Sequence, residues 1–138
     1  MRSRDELPMS FADTVELLDR EAVVAIVTTR ANGEPIATPI WSVVVDGVPY
    51  LRSAFGPRSW WYRHVLAGRP GAFAHGDGRL AERDRRAALK LPREPVSATH
   101  VPADDRVQQA VSGELRRKYP AGTSLDWMLS AEAVACTL

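Results

Sequence analysis

The sequence predicts a mainly β protein with peripheral helices, an antiparallel barrel, closed or split, of about six strands. Three observations predict it. Runs of β-branched and apolar residues recur at short intervals, as in Val23–Thr29 and Ile36–Val45. Tight-turn signals separate them: Asn32-Gly33, Asp46-Gly47 and Gly76-Asp77-Gly78. Helical periodicity is confined to a few short stretches, and this much hairpin pairing does not suit a doubly wound parallel sheet.

Residues 1–10 read as a loose arm on a single domain spanning 1–138. Phe11 to Arg20 carries Phe11, Val15 and Leu18 at helical spacing, with Ser10 as N-cap. Val23–Thr29, Ile36–Val45 and Val48–Ser53 are then three consecutive strands of a meander. Gly56-Pro57 breaks the pattern, and Ser59 to Leu66 is helical until Gly68 and Pro70 stop it. Gly71–His75 is a strand, and residues 79–85 and 94–101 are expected as two more. Asp104 to Tyr119 is the clearest helix, with Val107, Ala110, Val111 and Leu115 on one stripe and Arg116, Arg117 and Lys118 at its end. Ser124–Leu129 reads as a further helical turn, and Ala133–Leu138 as a last strand.

Composition narrows the function. The chain has 138 residues and a formal net charge of +1, so no global basic field argues for nucleic acid. No apolar run is long enough to span a membrane. Cys136 is the one cysteine, which excludes an internal disulfide, makes a reducing cytoplasm the simplest setting and reads as a small buried or half-buried thiol. His64, His75 and His100 lack metal-ligand spacing and read as surface or internally satisfied rings. Asp77, Glu82 and Asp84 alternate with arginines, as on a solvated strand face.

Charge is uneven along the chain. Between Asp46 and Asp77 there is no carboxylate, while Arg52, Arg58, Arg63 and Arg69 fall in the interval. Such a stretch in a near-neutral protein points to a small anion. Within it, Arg52-Ser53-Ala54-Phe55-Gly56-Pro57-Arg58-Ser59-Trp60-Trp61 takes a strand through a turn into a helix. Helix N-termini and guanidinium forks both suit phosphate oxygens, Ser53 and Ser59 add hydroxyls, and Trp60 or Trp61 could stack on a planar ring. The same residues also fit an N-cap, surface arginines and two core tryptophans. Thr38-Pro39-Ile40-Trp41 is a second feature: proline inside a strand belongs at an edge, a bulge or a lined pocket.

These pieces resemble the flavin-binding split β-barrels, the pyridoxamine 5′-phosphate oxidase-like superfamily, in a branch of unknown function. The resemblance rests on Thr38-Pro39-Ile40-Trp41, Val43-Val44-Val45, Asp46-Gly47, Tyr50-Leu51-Arg52-Ser53, Gly56, Trp61-Tyr62-Arg63 and Lys118-Tyr119, in that order. Thr29-Arg30-Ala31-Asn32-Gly33 is similar to a motif of deazaflavin-dependent nitroreductases, with Thr29 in place of glycine and Asn32 in place of serine. The resemblance implies a homodimer that binds FMN or a deazaflavin and passes hydride to a small organic acceptor. By it, Thr38, Pro39, Ile40 and Trp41 lie along the ring. Arg52, Ser53, Arg58 and Ser59, with Arg30 in addition, hold the phosphate, and Trp60 or Trp61 walls the pocket. The competing expectation is a dimer of the same fold that binds a small ligand without turning it over.

Overall fold

The computed structural model describes residues 10–138; the expected N-terminal arm, Ser10 apart, lies outside the described residues. The first helix, α1 (Phe11–Arg20), begins as its sequence directs. Ser10 accepts from the Asp13 amide while Asp13 accepts from the Ser10 amide, a reciprocal capping box. Strands β1 (Val24–Thr29) and β2 (Pro35–Ile40) follow as an antiparallel hairpin, with Gly33 at φ 87° in the turn. Strands β3 (Val43–Val45) and β4 (Val48–Tyr50) form a second hairpin, in which Asp46 and Gly47 both take positive φ, at 50° and 77°.

The expected second strand is cut in two. Pairing with β1 ends at Ile40, and β3 opens a different sheet. The break is held by side chains: Ser42 N–H donates to Tyr119 Oη at 3.0 Å, and Ser42 Oγ donates to Leu18 O at 2.9 Å. The chain thus turns from one sheet to the other without an orphaned backbone amide at Ser42. Pro39 is accommodated because β2 is an edge strand.

A 3-10 turn (Gly56–Arg58) leads into α2 (Trp60–Leu66), and β5 (Gly71–Ala74) then pairs with β1. The segment expected as strand 79–85 is instead two short helices, α3 (Arg79–Arg83) and α4 (Arg85–Ala88). Asp77 accepts from the Arg79 amide, and Asp84 accepts from the Arg86 and Ala87 amides. Strand β6 (Arg93–Val96) pairs with β5 and is shorter than expected, and an isolated bridge joins Val101 to Thr137. Helices α5 (Val107–Lys118), α6 (Thr123–Met128) and α7 (Ala131–Ala135) complete the chain. The expected last strand is therefore helical up to Ala135, started by Ser130, whose Oγ accepts from the Ala133 amide. Only Thr137 and Leu138 continue as extended backbone, Leu138 exchanging both hydrogen bonds with Leu51.

The architecture is mixed α/β with two antiparallel sheets, ordered β2-β1-β5-β6 and β3-β4. It is not mainly β, and the six described strands do not close into a barrel. One face of the larger sheet carries Ala25, Val27, Ala37 and Ala74 against Ala81 and Ala88 of α3 and α4. Small side chains on both surfaces let the layers approach closely. The other face carries Val24, Ile26, Ile40 and Phe73 against Leu17, Leu18, Leu51, Trp61, Tyr62 and Leu138. A third cluster joins β3 to α5 and α6 through Val43, Val111, Leu115, Tyr119, Leu125 and Met128.

Candidate functional site

The residues expected to form one cationic socket are dispersed. Arg52 is 3% exposed, and its guanidinium faces α5, α6 and the C-terminal segment. Nε donates to Thr137 Oγ1 at 3.2 Å, Nη1 to Ser112 Oγ at 2.9 Å and Met128 O at 3.2 Å, and Nη2 to Gln108 O at 3.0 Å and Gln108 Oε1 at 2.8 Å. Five N–H groups meet five acceptors, which leaves no donor for a phosphate. Burial, with nearby Arg116, pulls the Arg52 pKa down to about 10, so it remains charged at neutral pH. The phosphate role expected of Arg52 is corrected on this ground: the side chain is a buried tie between elements.

Its neighbours are engaged as well. Ser53 is fully buried, and its Oγ is within hydrogen-bonding reach of Gly56 O and of Ser59 Oγ. Arg58 lies on the surface, 3.6 Å from Glu132. Trp61 belongs to the core, so it walls no pocket, whereas Trp60 is 69% exposed with the Arg63 guanidinium 5.7 Å from its ring centre. Trp41 stacks on Tyr119 at 3.9 Å and 7°, and Ile40 is core. Thr38 and Pro39 are half-buried on the edge strand, Thr38 in register with Ile26. None of these residues lines the main cavity.

That cavity is a groove of about 700 Å³ between the two sheets. It lies where β4 and β6, which are not paired with each other, both border the cleft. Ile26 of β1, Phe73 of β5, Val96 of β6, Val65 of α2, Tyr50 and Leu51 beside β4, and Leu138 form its walls. Phe11 and Val48, both about half exposed, stand at its rim. An extended stretch, Ser97 to Pro102, borders it and is tied down where the Val101 amide donates to Thr137 O at 2.9 Å. Arg69, His100 and Asp105 supply its charged and titratable groups.

Arg69 is the member of the acid-free interval that reaches the groove. Among the described residues its guanidinium makes one hydrogen bond, a long one from Nη1 to Thr29 O at 3.5 Å, and no carboxylate pairs with it. Arg30, the expected phosphate contact, is exposed on the turn after β1, also without an ion pair among the described residues. Both arginines act on His64, whose pKa is lowered first by burial and then by Arg69 and Arg30. The ring is held neutral against Thr28 Oγ1, 2.8 Å from Nδ1. The two guanidinium groups therefore belong to one electrostatic neighbourhood at the end of β1, and Arg69 opens it onto the groove. Sequence reading included Arg69 in the cationic interval but did not single it out, because nothing local separates it from Arg52. Phe73 and Val96 are indistinguishable from ordinary core residues in sequence.

No group of three or more potential metal-ligating side chains occurs among the described residues. None of the described helices is long and apolar enough to cross a membrane. Cys136 is a free, buried thiol, as expected.

Fold and groove together define a class: a mixed α/β protein with two antiparallel sheets and a cleft of small-molecule size between them. Over residues 14–138 the sequence matches the family described as uncharacterized protein conserved in bacteria (DUF2255), and the chain belongs to that family. The fold is similar to the crystal structure of conserved hypothetical protein Rv2991 from Mycobacterium tuberculosis, with a TM-score of 0.57, 16% identity, and coverage of 98% of this chain and 81% of that one. No curated protein matches the sequence.

Proposed function

We propose that the groove binds a planar ring cofactor of the flavin class, FMN or a deazaflavin, and that the chain is an oxidoreductase acting on a small organic acceptor. The observation that carries this reading is a largely apolar groove of about 700 Å³ bordered by a guanidinium with no carboxylate partner among the described residues. Cofactor sites have this size and this sparse polarity. The donor set fits an anionic arm: Arg69 at the groove offers forked N–H groups to phosphate oxygens. Resemblance of the sequence motifs to flavin-binding split barrels points the same way.

When bound, such a cofactor supplies the hydride. The chain's own part is positional. Ile26, Phe73 and Val96 offer apolar surface to a ring, and Leu51, Val65 and Leu138 keep water from it. Exclusion of water strengthens the contact between Arg69 and an anionic arm. A second copy of the chain, set over the exposed rim at Phe11 and Val48, belongs to this proposal.

The test is titration of the protein with FMN and with a deazaflavin, following cofactor absorbance and tryptophan quenching. Saturable binding of either, with reduction of a nitroaromatic acceptor by the reduced complex, is the expected result. Binding without turnover leaves a non-enzymatic ligand carrier. Failure of both cofactors to bind refutes the proposal.

A further inference from the structure

The groove has a second polar feature that the cofactor reading does not use. His100 sits on the extended stretch bordering the groove, and its ring is tied by one nitrogen: Nε2 lies 2.8 Å from Ala135 O, at the end of α7. A carbonyl oxygen only accepts, so Nε2 carries the hydrogen. In the neutral ring Nδ1 is then a bare acceptor, and no partner for it exists among the described residues.

The backbone beside this ring is fixed on three sides. The Val101 amide donates to Thr137 O, and the two hydrogens of Gln108 Nε2 are shared among Pro102 O at 3.1 Å, Val134 O at 3.2 Å and Val101 O at 3.4 Å. Gln108 is itself held by Arg52. An imidazole with a fixed tautomer, on a clamped segment at the edge of an apolar cleft, is a preorganised hydrogen-bond acceptor.

We infer that His100 is a ligand-contacting residue of the groove, accepting through Nδ1 an N–H or O–H hydrogen from the bound molecule. The inference rests on the cofactor reading and extends it. It defines the ligand class as a planar molecule with an anionic arm for Arg69 and a polar edge that donates a hydrogen bond to His100. Asp105, a carboxylate at the groove, has Oδ1 accepting from the Val107 amide at the start of α5 at 2.9 Å.

Three proteins test this: the wild type, His100→Phe and His100→Gln, each titrated with FMN and with a deazaflavin. Nitrogen NMR of the wild-type ring gives a second readout. His100→Phe keeps a flat ring but loses both nitrogens, and its affinity should fall about tenfold, the loss of roughly one hydrogen bond. His100→Gln can still donate to Ala135 O and accept from the ligand, so it should bind within about threefold of wild type. The Nδ1 resonance should move from that of a bare acceptor toward that of a hydrogen-bonded one as ligand is added. If ligand binds wild type and His100→Phe equally and the Nδ1 resonance stays put, the His100 inference is wrong while the groove reading stands. If neither cofactor binds wild type, the cofactor reading fails and takes this inference with it. Thermal melting of all three proteins separates lost binding from lost folding, since His100 is exposed and makes a single hydrogen bond.

Discussion

At the scale of single residues, Arg52 and Arg69 mark the limit of what the sequence reveals. Both are arginines in an interval without carboxylates, yet only Arg52 is singled out in sequence as an anion ligand. What separates them is what surrounds each guanidinium. Arg52 meets five neutral acceptors from distant parts of the chain, while Arg69 has one weak contact. No local pattern announces Ser112, Gln108, Met128 and Thr137 as partners, because they converge only after α5, α6 and the C-terminal segment have packed. Replacing Arg52 by alanine should therefore destabilise the fold by about 3 kcal/mol or more in urea unfolding, since buried carbonyls and hydroxyls lose a charged donor. Arg58→Ala, which removes an exposed ion pair, should cost less than about 1 kcal/mol. Lys118 gives a pH-dependent counterpart. Its Nζ donates to Leu18 O at 2.6 Å and Ser42 O at 2.7 Å, and burial brings its pKa down to about 8 from 10.5. Between those two values the unfolded chain holds a proton that the folded chain has released, so stability gained from this group rises with pH across that window. A neutral amine still has two hydrogens for the two carbonyls. Wild type should thus gain stability relative to Lys118→Met from pH 7 to pH 10, and a relative loss contradicts this picture of the site.

At the scale of elements, legibility followed local chemistry. Helices α1 and α2, the β1–β2 turn and the β3–β4 turn lie where caps, glycines and periodicity place them. The misreadings share a cause: local signals compatible with two outcomes, decided by packing. Gly76-Asp77-Gly78 resembles a hairpin turn, yet Asp77 caps a helix whose Ala81 packs on the alanine face of the large sheet. Val134-Ala135-Cys136-Thr137-Leu138 alternates like a strand, yet Ser130 starts a helix just before it. Gly78 gives a direct check. A Cβ there would collide with the backbone of Val23 and Val24, which cannot move without disturbing β1. Gly78→Ala should cost about 2 kcal/mol or more, and unchanged unfolding would show that α3 does not pack this closely. The Lys118-Tyr119 motif, noticed in sequence for its resemblance alone, turns out to serve the break between β2 and β3. Tyr119 Oη donates to Ala22 O at 2.6 Å and accepts from Ser42 N–H at 3.0 Å, while its ring stacks on Trp41. Tyr119→Phe keeps the stacking and should lose about 1–2 kcal/mol in the same unfolding assay.

At the scale of the whole molecule, the two hairpins were legible, while the pairings of β5 with β1 and with β6 were not. Each of the two hairpins could be read from its turn, but the sequence suggested one strand over 94–101, whereas β6 ends at Val96 and residues 97–102 run on beside the groove. The groove runs along that stretch, so the part of the fold least legible in sequence borders the candidate site. The proposed ligand class takes a different address from the one the sequence suggested: Thr38-Pro39-Ile40-Trp41 belongs to the β2 edge and the break after it, Arg52 ties helices together, and the proposal gives the cationic contact to Arg69. The measurement that bears most directly on this account is the affinity of Arg69→Ala for FMN and for a deazaflavin beside that of wild type. Saturable binding to wild type, weakened about tenfold or more in the variant at an unchanged melting temperature, is the predicted result. Equal affinities, or no binding to wild type at all, would contradict it.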